Sequence, residues 1–327
     1  MTAVDPVEAR DRVLLRFEQA KRVEQRVEAA GELCALAAAL PEADARRLYS
    51  GEVARLVSDK QLEVRCAGLA LASVSLEPDE AEGLFIRTLS DKLSRVRLEA
   101  AGRLADMARP SARGALAGAL QDESFPVRFE AARGMAELKH SSGLEVLCEA
   151  LDDQDLRFRA ASALAKLGDP AALPALRKVY ERWILNPFDR TQIAGAMVKL
   201  GDQSALEHLF KRARKSSSPE RAMAVELLGE VQAPGAKELL VGLLENPKDL
   251  AWGAAARSLG RLKDPSCLAP LEKALALPDL DDDSKLDLAE GLCRLGLPAA
   301  REKASAITLT TDEAREELAA MLEETPA

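Results

Sequence analysis

The chain has 327 residues, of which 47% are apolar, only 3% aromatic and 30% charged, and its net charge is −9. Alanine and leucine supply most of the apolar content. They are strong helix formers that let helices approach closely, so an all-helical protein is expected. The acidic balance argues against general attraction to nucleic acid or an anionic bilayer, although a local basic patch is compatible with it.

In chain order, MTAVDPVEARDR has neither the basic nor the apolar stretch of a secretory leader. No later run reaches the roughly 18 apolar residues of a membrane span. A cytoplasmic location is expected, and the abundance of Ala, Arg and Leu fits a GC-rich bacterial gene.

A repeat then dominates. VRLEAAGRLADM begins at Val96, VRFEAARGMAEL at Val127 and LRFRAASALAKL at Leu156. Each has an Asp five or six residues before its Arg, namely Asp91, Asp122 and Asp152. Using the Arg as a marker, fainter copies give Arg26, Arg65, Arg97, Arg128, Arg157, Arg190, Arg221, Trp252 and Lys285, with steps of 29 to 39 residues. Apolar residues recur at helical spacing after the marker, as in Ala160, Ala161, Leu164 and Leu167. They recur before it as well, as in Leu173, Leu176, Val179, Tyr180 and Trp183. Each unit is therefore a helical hairpin. In AKLGDPAALPAL, Gly168 suits the left-handed end of one helix, Asp169 the cap of the next and Pro170 its first turn.

One hairpin cannot bury both faces, so stacking must supply the core. Nine units span about residues 5–309, and TTDEAREELAAMLEE from Thr310 reads as a closing helix over about 310–324. The whole chain, 1–327, is expected to be one solenoid domain.

The D-x-x-x-x-V-R-x-x-A-A-x-x-L pattern with its GDP-type turn resembles HEAT repeats, in particular the short HEAT-like repeats of phycobilisome lyases. The resemblance covers about residues 5 to 300 and implies a right-handed α-α superhelix. It also implies that the first helix of each unit is convex, that the marker helix is concave, and that Asp and Arg of successive units form a structural ladder. Asp91 with Arg97, Asp122 with Arg128 and Asp152 with Arg157 are its expected members.

Chemistry-bearing motifs are scarce. His140 and His208 are the only histidines, and no phosphate loop, dinucleotide fingerprint or nucleophile elbow occurs. DLDDDSKLD at 279–287 lacks the glycine and glutamate of a calcium loop and reads as an acidic, helix-capping loop. Cys34, Cys66, Cys148, Cys267 and Cys293 lie within apolar helical patterns and read as reduced core thiols. No metal or cofactor is expected.

Among enzymes, HEAT-like folds include DNA alkylpurine glycosylases, for which Trp183, Trp252 and Asp189 would be the candidates. The acidic chain lacks the cationic groove they need, and a phycobilin lyase activity has no support beyond the repeat itself. A non-enzymatic scaffold or adaptor for a partner protein is the expected function, with nucleic acid and membrane disfavoured.

Three surfaces are candidates. The ninth residue after each marker forms a column in which Asp106, Glu137, Lys166, Lys199, Glu230, Arg261 and Arg294 alternate in sign in short blocks. This suits either a charge-complementary partner or a merely soluble face. KRARKSSSPER places Lys211, Arg212, Arg214 and Lys215 at a hairpin tip around three serines, either a docking patch open to phosphorylation or a solvated loop. In YERWILNPFDR, Tyr180 and Trp183 continue an apolar stripe while Phe188 follows Asn186 and Pro187 in an enlarged loop. The trio either plugs the joint between units five and six, or Trp183 and Phe188 belong to an exposed anchor.

Overall fold

The computed structural model describes residues 5–324, and every regular element among them is helical. The helices form two compact units divided between Ala150 and Leu151. The first holds α1 (Pro6–Gln19), α2 (Val23–Ala38), α3 (Glu42–Val57), α4 (Leu62–Ser75), α5 (Pro78–Thr88), α6 (Ser94–Met107), α7 (Arg113–Ala119), α8 (Phe125–Glu137) and α9 (Leu144–Ala150). The second holds α10 (Arg157–Leu167), α11 (Leu173–Tyr180), α12 (Pro187–Lys199), α13 (Leu206–Arg214), α14 (Arg221–Glu230), α15 (Ala236–Leu243), α16 (Trp252–Arg261), α17 (Leu268–Leu275), α18 (Asp282–Leu295), α19 (Pro298–Ser305) and α20 (Asp312–Glu324).

The even-numbered helices from α2 to α18 carry the markers. Within the first unit α2, α4, α6 and α8 pack in succession, and within the second α10, α12, α14, α16 and α18 do the same. The seventh residue after the marker returns to the marker's face after two turns. It is Leu33, Ala72, Leu104, Met135, Leu164, Met197, Leu228, Leu259 or Leu292, and each is buried. Burying one such leucine or methionine side chain contributes roughly 1.5–3 kcal/mol. Close approach of α16 and α18 depends on two glycines: a Cβ on Gly260 would fall 2.1 Å from the Gly291 carbonyl oxygen.

The turn chemistry follows the sequence with one addition. Gly168 has φ 77° and its N–H donates to Leu164 O, while the Asp169 carboxylate accepts from Ala171 N at 2.9 Å. Pro170 opens a 3₁₀ turn, Pro170–Ala172, before α11 begins. Similar turns precede α7, α9, α13 and α17. The turn before α17 manages without glycine because Lys263 takes φ 54°, a conformation costing about 1 kcal/mol or more for a residue with a Cβ. The long first marker step reflects the 16-residue α3. At the other end α20 packs on α18 and α19 through Ala314 and Leu318.

The cysteines are free thiols, but only Cys267 and Cys293 are buried; Cys34, Cys66 and Cys148 are half-buried. The expectation of five core thiols is corrected to that extent. Cys34 Sγ donates to Ala67 O at 3.0 Å, and burial pushes its thiol up to about 11.

Candidate partner-binding surface

The marker arginines pair with aspartates of the next unit, as a ladder requires, but not with the aspartates that precede them in sequence. Arg97 donates from Nε and Nη2 to Asp122 at 2.7 and 2.9 Å, and from Nη1 to the Asp91 carbonyl at 2.9 Å. Asp91's carboxylate is held instead by Arg65 of the preceding unit. Asp91 with Arg97 and Asp122 with Arg128 are thus not carboxylate pairs. Arg128 donates to the Asp122 and Glu123 carbonyls at 2.9 and 3.2 Å.

The reason lies in the turn. Each aspartate accepts the N–H two residues on, as Asp91 does from Leu93 and Asp122 from Ser124. This presents the carboxylate to the preceding unit, while the marker bonds the carbonyls ending its own first helix or its turn.

Asp152 does not pair with Arg157 either. Asp153 caps that turn, accepting from Asp155 N at 2.8 Å, while Asp152 faces solvent and pairs with Arg182. Arg157 donates to Leu151 O at 2.7 Å and reaches Asp189 at 3.3 Å. Arg221 repeats the pattern with Ala213 O at 2.8 Å and Asp249 at 2.6 Å. Trp252 keeps only the carbonyl bond, from Nε1 to Leu244 O at 3.2 Å, and Lys285 Nζ donates to Thr308 O at 3.0 Å. Asp189 and Trp252 are therefore buried in structural contacts, whereas Trp183 is exposed.

The charged column pairs largely with its own neighbours. Asp106 meets Arg133 at 2.8 Å, Lys199 pairs with Glu230, Arg261 with Glu226 and Arg294 with Glu290. Glu137 is half-buried and Lys166 exposed. Arg257 joins Glu226 and Asp287 and lies 3.9 Å from Glu290. Burial pushes the Asp287 carboxyl up, with Glu290 and Glu226 adding to it, while Arg257 opposes them. The sequence reading missed this cluster, although Glu226, Arg257 and Glu290 alternate in sign at the fifth position after successive markers.

The aromatic segment separates into two environments. Tyr180, the last residue of α11, is half-buried and meets the His208 ring edge-on at 5.8 Å. His208 Nε2 lies 3.2 Å from Thr191 Oγ1, and burial, with Arg212 and Arg190 nearby, pushes the imidazole down to about 4. Beyond Tyr180 the helix has ended, so Trp183 cannot continue its stripe. Trp183 is 95% exposed, Ile184 87% and Phe188 42%. The plug reading is corrected for Trp183 and Phe188 and holds only for Tyr180.

The loop carrying these residues is pinned. Arg190 donates from Nη1 to Tyr180 O at 2.5 Å and from Nη2 to Arg182 O at 2.6 Å. Arg182 is itself paired with Asp152, and Asn186 Oδ1 accepts from Phe188 N at 2.9 Å to start α12.

The basic cluster is not a loop tip. Lys211, Arg212 and Arg214 occupy the last turns of α13, where cations complement the helix dipole, and Lys215 is its C-cap. Arg212 turns inward to buried Glu220 at 3.3 Å, and Arg214 lies over the Phe210 ring at 5.0 Å. Lys211 and Lys215 face solvent, as do Ser216 and Ser217, whereas Ser218 is buried. Among the described residues no three His, Cys, Asp or Glu side chains are grouped to hold a metal, and no helix is long and apolar enough to cross a membrane.

A family model described as HEAT repeats matches residues 81–158, 112–183, 153–223 and 206–293. Among solved structures, the complex of CpcE and CpcF of phycocyanin lyase from Nostoc sp. PCC7120 aligns at 23% identity over 75% of this chain and 94% of that one, with a TM-score of 0.48. An E. coli protein, YibA, aligns at 20% identity over 78% and 94%, with a TM-score of 0.41. Human deoxyhypusine hydroxylase aligns at 19% over 75% and 96%, with a TM-score of 0.32. No curated protein matches the sequence.

Proposed function

The chain belongs to the HEAT-repeat family, and from that premise we propose that it is a non-enzymatic scaffold that binds a partner protein through its hairpin loops. Trp183 and Ile184 form the anchor. The observation that carries this reading is a pinned loop holding a 95% exposed indole and an 87% exposed isoleucine in water. An apolar pair of this size is the kind of group that dominates protein interfaces. Burying the indole alone is worth roughly 4–6 kcal/mol of transfer free energy, before association entropy is subtracted. Because Arg190 already fixes the loop, little further ordering is needed on binding.

The charged column supports a subsidiary role at most, since its members pair along the stack. A nucleic-acid role finds no support in a chain of net charge −9. Five free thiols fit a reducing compartment, and we place the protein in the cytoplasm on that ground.

The test is affinity capture of the tagged chain from native lysate with crosslinking and mass spectrometry, run beside a Trp183→Ala/Phe188→Ala variant. A protein crosslinked within residues 183–189 and lost from the variant is expected. Equal capture by both chains would move the interface elsewhere, and recovery of nucleic acid alone would reject the scaffold reading.

A further inference from the structure

The second unit has a feature that the anchor alone does not explain: its hairpin loops share one edge and differ in chemistry from loop to loop. Several contacts establish the shared edge. Arg182, in the loop before α12, pairs with Asp152, in the loop before α10. Arg221, at the start of α14, pairs with Asp249, in the loop before α16. Lys199 and Glu230 join the far ends of α12 and α14, so these helices run in the same direction. Arg257, five residues past its marker in α16, meets Asp287, two past its marker in α18.

Along this edge the loops read as follows. The loop before α10 presents exposed Asp155. The next presents Trp183 and Ile184. The third, at the end of α13, presents exposed Lys211 and Lys215. The fourth presents Leu250, which is 94% exposed, beside exposed Glu245 and Lys248, whose charges offset one another. The fifth, before α18, presents exposed Asp279 and Asp283.

Leu250 is held outward as firmly as Trp183. Asp249 beside it accepts from Ala251 N at 2.9 Å and from Arg221 at 2.6 Å. The surface order is therefore acidic, apolar, basic, apolar, acidic, with both apolar points on pinned turns.

We infer that this edge docks a protein segment of the complementary order: an acidic centre between two apolar anchors, with basic residues outside them. The inference rests on the protein-binding reading proposed above and adds the chemistry of the partner. Charge complementarity selects this occupant over an anionic bilayer, which the lysines would attract but both acidic ends would repel. Two helix-packing steps separate the loops of Trp183 and Leu250, roughly 16–20 Å. The partner's anchors then stand about five or six residues apart in an extended segment, or about twelve in a helical one.

The experiment is selection of a random 20-residue peptide library, displayed on phage, against the full chain. Parallel selections use Trp183→Ser/Ile184→Ser, Leu250→Ser and Lys211→Glu/Lys215→Glu. All these side chains are exposed, so the variants retain the fold, which circular dichroism checks. Enriched peptides should carry two apolar anchors around an acidic centre. Their binding, measured by fluorescence anisotropy, should weaken at least tenfold in each variant. Peptides that need Trp183 but neither Leu250 nor the lysines would overturn this inference and leave the scaffold reading standing. No enrichment over the Trp183→Ser/Ile184→Ser chain would overturn both. Phosphatidylserine vesicles are assayed beside the peptides, and retention on them that depends on Trp183 and Leu250, without peptide selection, would replace the protein segment by a membrane.

Discussion

Replacing Arg97 by alanine tests the ladder that holds the first unit's hairpins together. The guanidinium makes two charge-assisted bonds to Asp122, at 2.7 and 2.9 Å, and one to the Asp91 carbonyl at 2.9 Å. The two side chains are nearly buried, so breaking the pair should destabilise by about 3 kcal/mol, the lower end of the range for buried pairs that lose one partner. Arg97 holds the Asp122 carboxyl below the usual carboxylate range, against its burial. The stability from this shift is present above the ordinary carboxylate pKa and is lost as pH falls through the folded value. The gap between wild type and Arg97→Ala should therefore narrow on acidification below about pH 4.

The assay is urea unfolding at pH 7 and at pH 3, with hydrogen exchange to localise the loss to α5–α8, since repeat units couple mainly to their neighbours. Asp122→Asn keeps the amide-accepting oxygen that bonds Ser124 N while removing the charge. It closes a double-mutant cycle whose coupling should be about 2 kcal/mol. A coupling under about 0.5 kcal/mol would show that the ladder does not depend on this pair.

Three further outcomes are expected. Trp183→Ala/Ile184→Ser should change unfolding free energy by less than about 0.5 kcal/mol, because both side chains are already in water; a larger loss in urea melts would return them to the core. His208 is held neutral, with its imidazole pushed down to about 4, so stability should rise as pH increases from 4 to 6.5 and level off above it. After discounting for partial solvent contact this window is worth about 2 kcal/mol, and His208→Gln should flatten it; an NMR titration of the imidazole near pH 6.5 would contradict the assignment. Arg257→Met should raise the Asp287 carboxyl further, making folded-state stability fall more steeply than in wild type as pH rises from 4 to 7; parallel melts at both pH values check the sign.

The repeat, the two-helix unit and the capped turns were legible because each is local: Gly168, Asp169 and Pro170 act within a few residues of one another. The ladder's pairing was not, because sequence spacing shows which Asp precedes each Arg and not which way the turn points its carboxylate. Asp152 and Asp153 are adjacent, and only the fold distinguishes the surface pair from the cap. Trp183 misled for a similar reason. Helical spacing carried the stripe past Tyr180, whereas Asn186 and Pro187, which start α12, leave too few residues for α11 to continue and still cross to it. The basic cluster looked like a tip because KRARKSSS is polar apart from Ala213. The burial of Leu209, Phe210 and Ala213 places its first half on a helix that ends at Arg214. Leu250 gave no sequence signal, since a single leucine in a turn has no period to break.

The central claim is that a partner covers Trp183. The chain has only one other tryptophan, buried Trp252, so Trp252→Phe leaves a single reporter at the proposed anchor. Steady-state fluorescence with acrylamide quenching, before and after addition of the captured partner, reads its exposure directly. The account predicts an indole fully open to quencher in the free chain that becomes protected, with blue-shifted emission, in the complex. An indole equally open to quencher when the partner is bound would contradict it.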